Sequence, residues 1–77
     1  MFRKKKLLRQ IKLSKDTILG LEQKRSRSQA ALVSALLKND MPNDEDVDYF
    51  NRFSDMIDKE REHLRALTEE YEALAKK

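Results

Sequence analysis

The chain has 77 residues, of which 40% are charged and 39% are hydrophobic, and its formal net charge is +3. A chain of this length forms at most one small domain and buries only about 60% of its unfolded surface. It has no cysteine, which excludes disulfides and thiolate metal sites, and no apolar run approaches the ~20 residues needed to cross a bilayer. High charge with one Gly and one Pro is typical of long solvated helices, so we expect an all-α fold.

The first 15 residues form a basic stretch without an acid. Its bases are Arg3, Lys4, Lys5, Lys6, Arg9, Lys12 and Lys15. Residues 1–6 are predicted to be a basic N-terminal segment ahead of the first helix. Polar residues interrupt the apolar residues that follow this segment, so the continuous hydrophobic region of a cleaved signal peptide is missing. This favours a cytoplasmic location. Four interpretations stay open for these bases: contact with nucleic-acid phosphates, contact with an acidic protein, peripheral contact with an anionic membrane surface, and a helix start that only adds solubility.

Helix 1 is predicted over residues 7–38, with one seam of side chains recurring at spacings of three and four. The seam consists of Leu7, Ile11, Ser14, Ile18, Leu21, Arg25, Ser28, Leu32 and Ala35. Polar residues interrupt this seam. The last part of helix 1 is apolar on almost every side. A helix of that kind requires cover from more than one neighbour.

A turn over residues 39–43 is predicted to separate helix 1 from helix 2, residues 44–75. Asn39 suits a left-handed helix end, and Asn43 is a predicted N-cap followed by three acids, whose charge suits the helix dipole. The helix 2 seam is stronger than that of helix 1, with seven apolar residues in eight positions. It consists of Phe50, Phe53, Ile57, Glu60, Leu64, Leu67, Tyr71 and Leu74, a coiled-coil pattern.

Two amphipathic helices joined by so short a turn predict an antiparallel, coiled-coil-like helical hairpin. Its register is predicted from the seams, by placing the one base of the first, Arg25, opposite the one acid of the second, Glu60. The small Ser14 then faces the large Tyr71, and Leu67 faces Ile18. We interpret the Arg25–Glu60 pair as fixing register more than adding stability.

No residue pattern indicates catalysis. The run Asp44-x-Asp46-x-Asp48 resembles the start of a calcium loop but has Tyr49 where glycine is required, so we interpret it as an acidic helix start. His63 is the only histidine and lacks metal-binding companions. We therefore expect no enzyme, cofactor, metal or small-molecule substrate.

Apolar residues outside both seams predict a partner or dimer interface near the turn. They are Ala30, Val33, Leu36, Leu37, Met41, Val47, Tyr49 and Met56. A homodimer forming a four-helix bundle would cover them, and so would an amphipathic helix of another protein. The predicted function is a non-enzymatic protein–protein interaction module, a small assembly, adaptor or regulatory subunit.

The alternative is a regulator that binds nucleic acid through the basic half of helix 1. In layout the predicted hairpin resembles the small hairpin-dimer RNA-binding regulators of plasmid copy number. The resemblance is one of architecture, implies dimerisation and RNA contact, and carries over no individual residue.

Overall fold

A computed structural model describes residues 2–76 of the chain; Met1 and Lys77, the first and last residues of the predicted domain, lie outside this range. Two α-helices, α1 (Phe2–Leu37) and α2 (Asp44–Ala75), pack against each other. They form an elongated molecule measuring 58 × 16 × 14 Å. The prediction of an all-α helical hairpin is confirmed.

The first helix begins at Phe2, five residues earlier than the sequence pattern indicated. Lys and Arg are good helix formers, so the basic segment continues α1 instead of preceding it. Bases at a helix N-terminus oppose the helix dipole. An acid on α2 offsets part of this cost, because Glu70 Oε1 lies 2.8 Å from Arg3 Nη2.

The core is a single seam between the two helices. Every predicted seam residue of α1 and α2 is buried or partly buried, so the prediction of which face each helix turns inward is confirmed. Ile57 is fully buried. At the end away from the loop, Leu67 packs with Leu7 and Ile11.

Residues 38–43 connect the helices, and both helix ends are capped. The Asp40 N–H donates to the Ala35 carbonyl at 2.9 Å, and the Asn39 N–H donates to the Leu36 carbonyl at 3.1 Å. With Asn39 at φ 57°, this is a Schellman ending with asparagine in the left-handed position. At the start of α2, the Asn43 side chain accepts a hydrogen bond from the Glu45 N–H at 3.2 Å.

The predicted register is wrong. Ser14 Oγ donates to Glu60 Oε1 at 2.8 Å, and because both side chains reach only a few ångströms, Ser14 and Glu60 lie close together along the hairpin. Ser14 precedes Arg25 by eleven residues, about 16 Å along a helix, so Arg25 lies too far along α1 to pair with Glu60. Ser14 accordingly meets Glu60 instead of Tyr71, and it supplies the polar partner that a partly buried carboxylate requires.

Candidate interaction surfaces

In the described part of the chain, two exposed ion pairs join the helices and mark the two flanks of the seam. Arg3 pairs with Glu70 at 2.8 Å, and Arg61 pairs with Glu22 at 3.2 Å. On α2, Glu70 directly precedes the seam residue Tyr71, whereas Arg61 directly follows Glu60. These two positions lie on opposite sides of a heptad seam, so the hairpin has an Arg3–Glu70 flank and a Glu22–Arg61 flank.

The eight predicted interface residues are all exposed, but they do not share one face. Residues a whole number of heptads apart lie on the same side of a helix. Tyr49 and Met56 lie three and two heptads before Glu70, which places them on the Arg3–Glu70 flank. Val47 lies two heptads before Arg61, on the other flank of α2.

The Glu22–Arg61 flank carries exposed apolar side chains at both ends of the hairpin. Leu36 lies two heptads after Glu22, and Leu8 lies two heptads before it. Their side chains are 62% and 48% exposed. Leu19 is also exposed and lies about one turn from Glu22 on this side. Leu8 and Leu19 were missed by sequence reasoning, although their apolar character outside the seam was the signal that could have found them.

An open groove runs along the outer surface of α1 near the loop. It is lined by Ser26, Gln29, Ala30, Val33, Ser34 and Leu37. The spacing of these residues shows that they form one stripe of a single helix, with the predicted partner residues Ala30, Val33 and Leu37 among them. A shallow stripe of this kind suits an apolar side chain of another protein better than an enclosed small molecule.

The two ends of the hairpin carry opposite charge. All seven predicted patch bases are exposed on the first four turns of α1, and among the described residues only Arg3 of these seven forms an ion pair. At the loop end, residues 39–48 contain five acids and no base. Residues 69–76, at the end of α2, add three acids and one base at the open end, so the open end keeps a net positive charge while the loop end has a net negative charge.

Within residues 2–76, no group of three or more potential ligands is placed to hold a metal ion. Asp44 and Asp46 lie in the first turn of α2, and His63 is exposed. Over the same residues, neither helix is both long and apolar enough to cross a membrane.

No protein-family model, no curated protein and no solved structure matches this chain. Function is therefore inferred from the apolar flanks, the groove and the charged ends of the hairpin.

Proposed function

We propose that this chain is a non-enzymatic protein–protein interaction module, a small assembly, adaptor or regulatory subunit whose hairpin pairs with a second copy to form a four-helix bundle. One observation carries the proposal. Among residues 2–76, eleven large hydrophobic side chains are exposed, against five hydrophobic residues in the core. Where such side chains lie together, as Ala30, Val33 and Leu37 do on α1, the exposed apolar patch usually marks an interaction site.

The shape of the hairpin supports pairing with another helical surface. A single seam between two helices leaves the flanks of both helices open, and a four-helix bundle buries them. Twofold pairing of identical chains is the commonest way to close such a surface. The competing outcome is a helix from a different protein lying along the α1 groove.

Sedimentation equilibrium over a range of protein concentrations tests the proposal. The unmodified chain is expected to sediment with twice the chain mass of 9.1 kDa. Leu36→Asp should shift it to the monomer, because a charge placed in an apolar interface is desolvated without a partner. Gln23→Asp introduces the same residue at an exposed position of α1 outside the apolar flank, and should leave the dimer intact. A monomer at every concentration would contradict the self-association proposed here.

The basic end of α1 supports a second candidate, a regulator that binds nucleic acid. Six of its seven bases are free of ion pairs with other described residues, which leaves them available to neutralise phosphates. Such binding should be largely independent of sequence and should weaken steeply as salt rises.

A gel-shift experiment with labelled RNA and DNA at low salt tests this second candidate. Replacing Lys5, Arg9 and Lys12 together by Gln should reduce the shift markedly. Lys24→Gln removes an exposed base elsewhere on α1 and should have a smaller effect. Absence of a shift by the unmodified chain at low salt would eliminate the candidate.

A further inference from the structure

The Glu22–Arg61 flank is apolar at both ends of the molecule. Leu8 lies near the open end, and Leu36 and Val47 lie near the loop end; Val47 is 37% exposed. Leu8 and Leu36 are four heptads apart on the same helix, about 42 Å. Exposed apolar side chains therefore lie near both ends of a molecule that is 58 Å long, and the polar residues Lys15, Glu22 and Gln29 lie between them on α1.

Charge distinguishes the two ways in which a second copy can lie along this flank. Residues 3–15 contain seven bases and no acid, and residues 39–48 contain five acids and no base. Parallel pairing brings the two basic ends together and the two acidic ends together. Antiparallel pairing places each basic end beside an acidic end, which satisfies the charge complementarity that sets orientation at protein interfaces.

We infer that two copies pack antiparallel through the Glu22–Arg61 flank, with Leu8 of each copy beside Leu36 of the other. This inference rests on the self-association proposed above and adds its direction and its face. The outline of the molecule along one long side, 58 by 16 Å, is large enough to contain the ~800 Å² per partner that a standard interface buries. A twofold axis perpendicular to the rod makes the two halves of the interface identical. Tyr49 and Met56, on the opposite flank, remain outside it.

Engineered cysteines test this geometry cleanly, because the chain has no native cysteine. Leu8→Cys and Leu36→Cys proteins are mixed, equilibrated and oxidised mildly, and a disulfide-linked dimer is expected. Each variant oxidised alone should give little product. A disulfide requires Cα atoms within about 7 Å, so residues 8 and 36 of one straight helix cannot link to each other. Val33→Cys lies one turn from Leu36. Mixing it with Leu8→Cys tests whether the two copies are displaced by one turn along this flank.

Met56→Cys is the matched control for the face. It is also an exposed apolar residue, but it lies on the Arg3–Glu70 flank, so mixing it with Leu8→Cys should yield no linked dimer. Sedimentation of each reduced variant establishes whether the dimer persists. Efficient linking of Leu8→Cys to itself would show parallel pairing and overturn the inference. A dimer without the mixed product would overturn the inference and leave the proposed self-association standing, whereas a monomeric chain would contradict both.

Salt provides an independent measurement of direction. For antiparallel copies, the dissociation constant of the dimer should rise several-fold between low and high NaCl, because salt screens the attraction between unlike ends. For parallel copies the dissociation constant should fall, because salt would screen repulsion. The sign of the change therefore separates the two arrangements, and a fall would overturn the inference.

Discussion

Replacement of Ile57 by alanine should be among the most damaging single truncations in the seam. The Ile57 side chain is fully buried, at 0% exposure. Its truncation removes about three methylene equivalents, each worth ~0.8 kcal/mol on burial, and leaves a cavity that adds to the loss. We expect the free energy of unfolding to fall by about 3 kcal/mol. At roughly 4–8 °C per kcal/mol for a domain of this size, the Tm should fall by about 12–24 °C.

Met56→Ala is the matched control for that measurement. Met56 is the preceding residue on α2 and is 48% exposed, so its truncation should cost less than ~1 kcal/mol. Thermal and urea unfolding are followed by circular dichroism at 222 nm, with all variants at one protein concentration, because self-association makes Tm concentration-dependent. Equal losses for Ile57→Ala and Met56→Ala would refute the assignment of the seam as the core.

Three further predictions concern the backbone, and the same unfolding measurements check them. Gly20→Ala should raise the free energy of unfolding by up to ~1 kcal/mol, because an added Cβ meets nothing within 4 Å and alanine is the better helix former; a loss would show unrecognised crowding. Asn39→Gly should also stabilise, by about 0.5–1 kcal/mol, because φ is 57° there and glycine adopts a positive φ without steric cost. Asn43→Ala removes the N-cap of α2 and should cost about 1 kcal/mol, whereas the exposed, mid-helical Asn51→Ala should not destabilise.

The faces of the helices could be predicted from the sequence because burial follows the heptad phase closely. Ser14, Arg25 and Glu60 are polar, yet their positions in the repeat place them on the seam, and the structure buries them at least partly. The turn was also predictable, since the conformational tolerance of Asn39 and the capping ability of Asn43 are properties of the residues themselves.

The register could not be predicted from the seams, because a helical seam looks the same after a slide of whole turns. Eleven residues are close to three turns of 3.6 residues, so moving the partner of Glu60 from Arg25 to Ser14 keeps the same residues facing inward. The predicted register was wrong because it was based on the Arg25–Glu60 ion pair alone. The neutral hydroxyl of Ser14 was not considered as a hydrogen-bond donor to Glu60. A hydroxyl group also satisfies a carboxylate, at a smaller desolvation cost than that of a guanidinium group.

The candidate interface was only partly predictable for a related reason. Residues near the turn were grouped by their distance along the chain, whereas the flank of a helix is set by phase. Tyr49 and Val47 are two residues apart and lie on opposite flanks, while Leu8 and Leu36 are far apart along α1 and lie on the same one.

The position of the single connection, residues 38–43, also sets the order in which this hairpin is expected to assemble. Contacts near the connection close short loops, whereas the Arg3–Glu70 contact joins residues 67 positions apart, and the entropy lost on closure grows with loop length. Contacts between the helices should therefore form first near the connection and then progressively farther from it. Substitutions near Asn43 should mainly slow folding, and those near Leu7 should mainly accelerate unfolding. In the native state, amide hydrogens should exchange fastest near Phe2, at the start of α1, and near Ala75, at the end of α2.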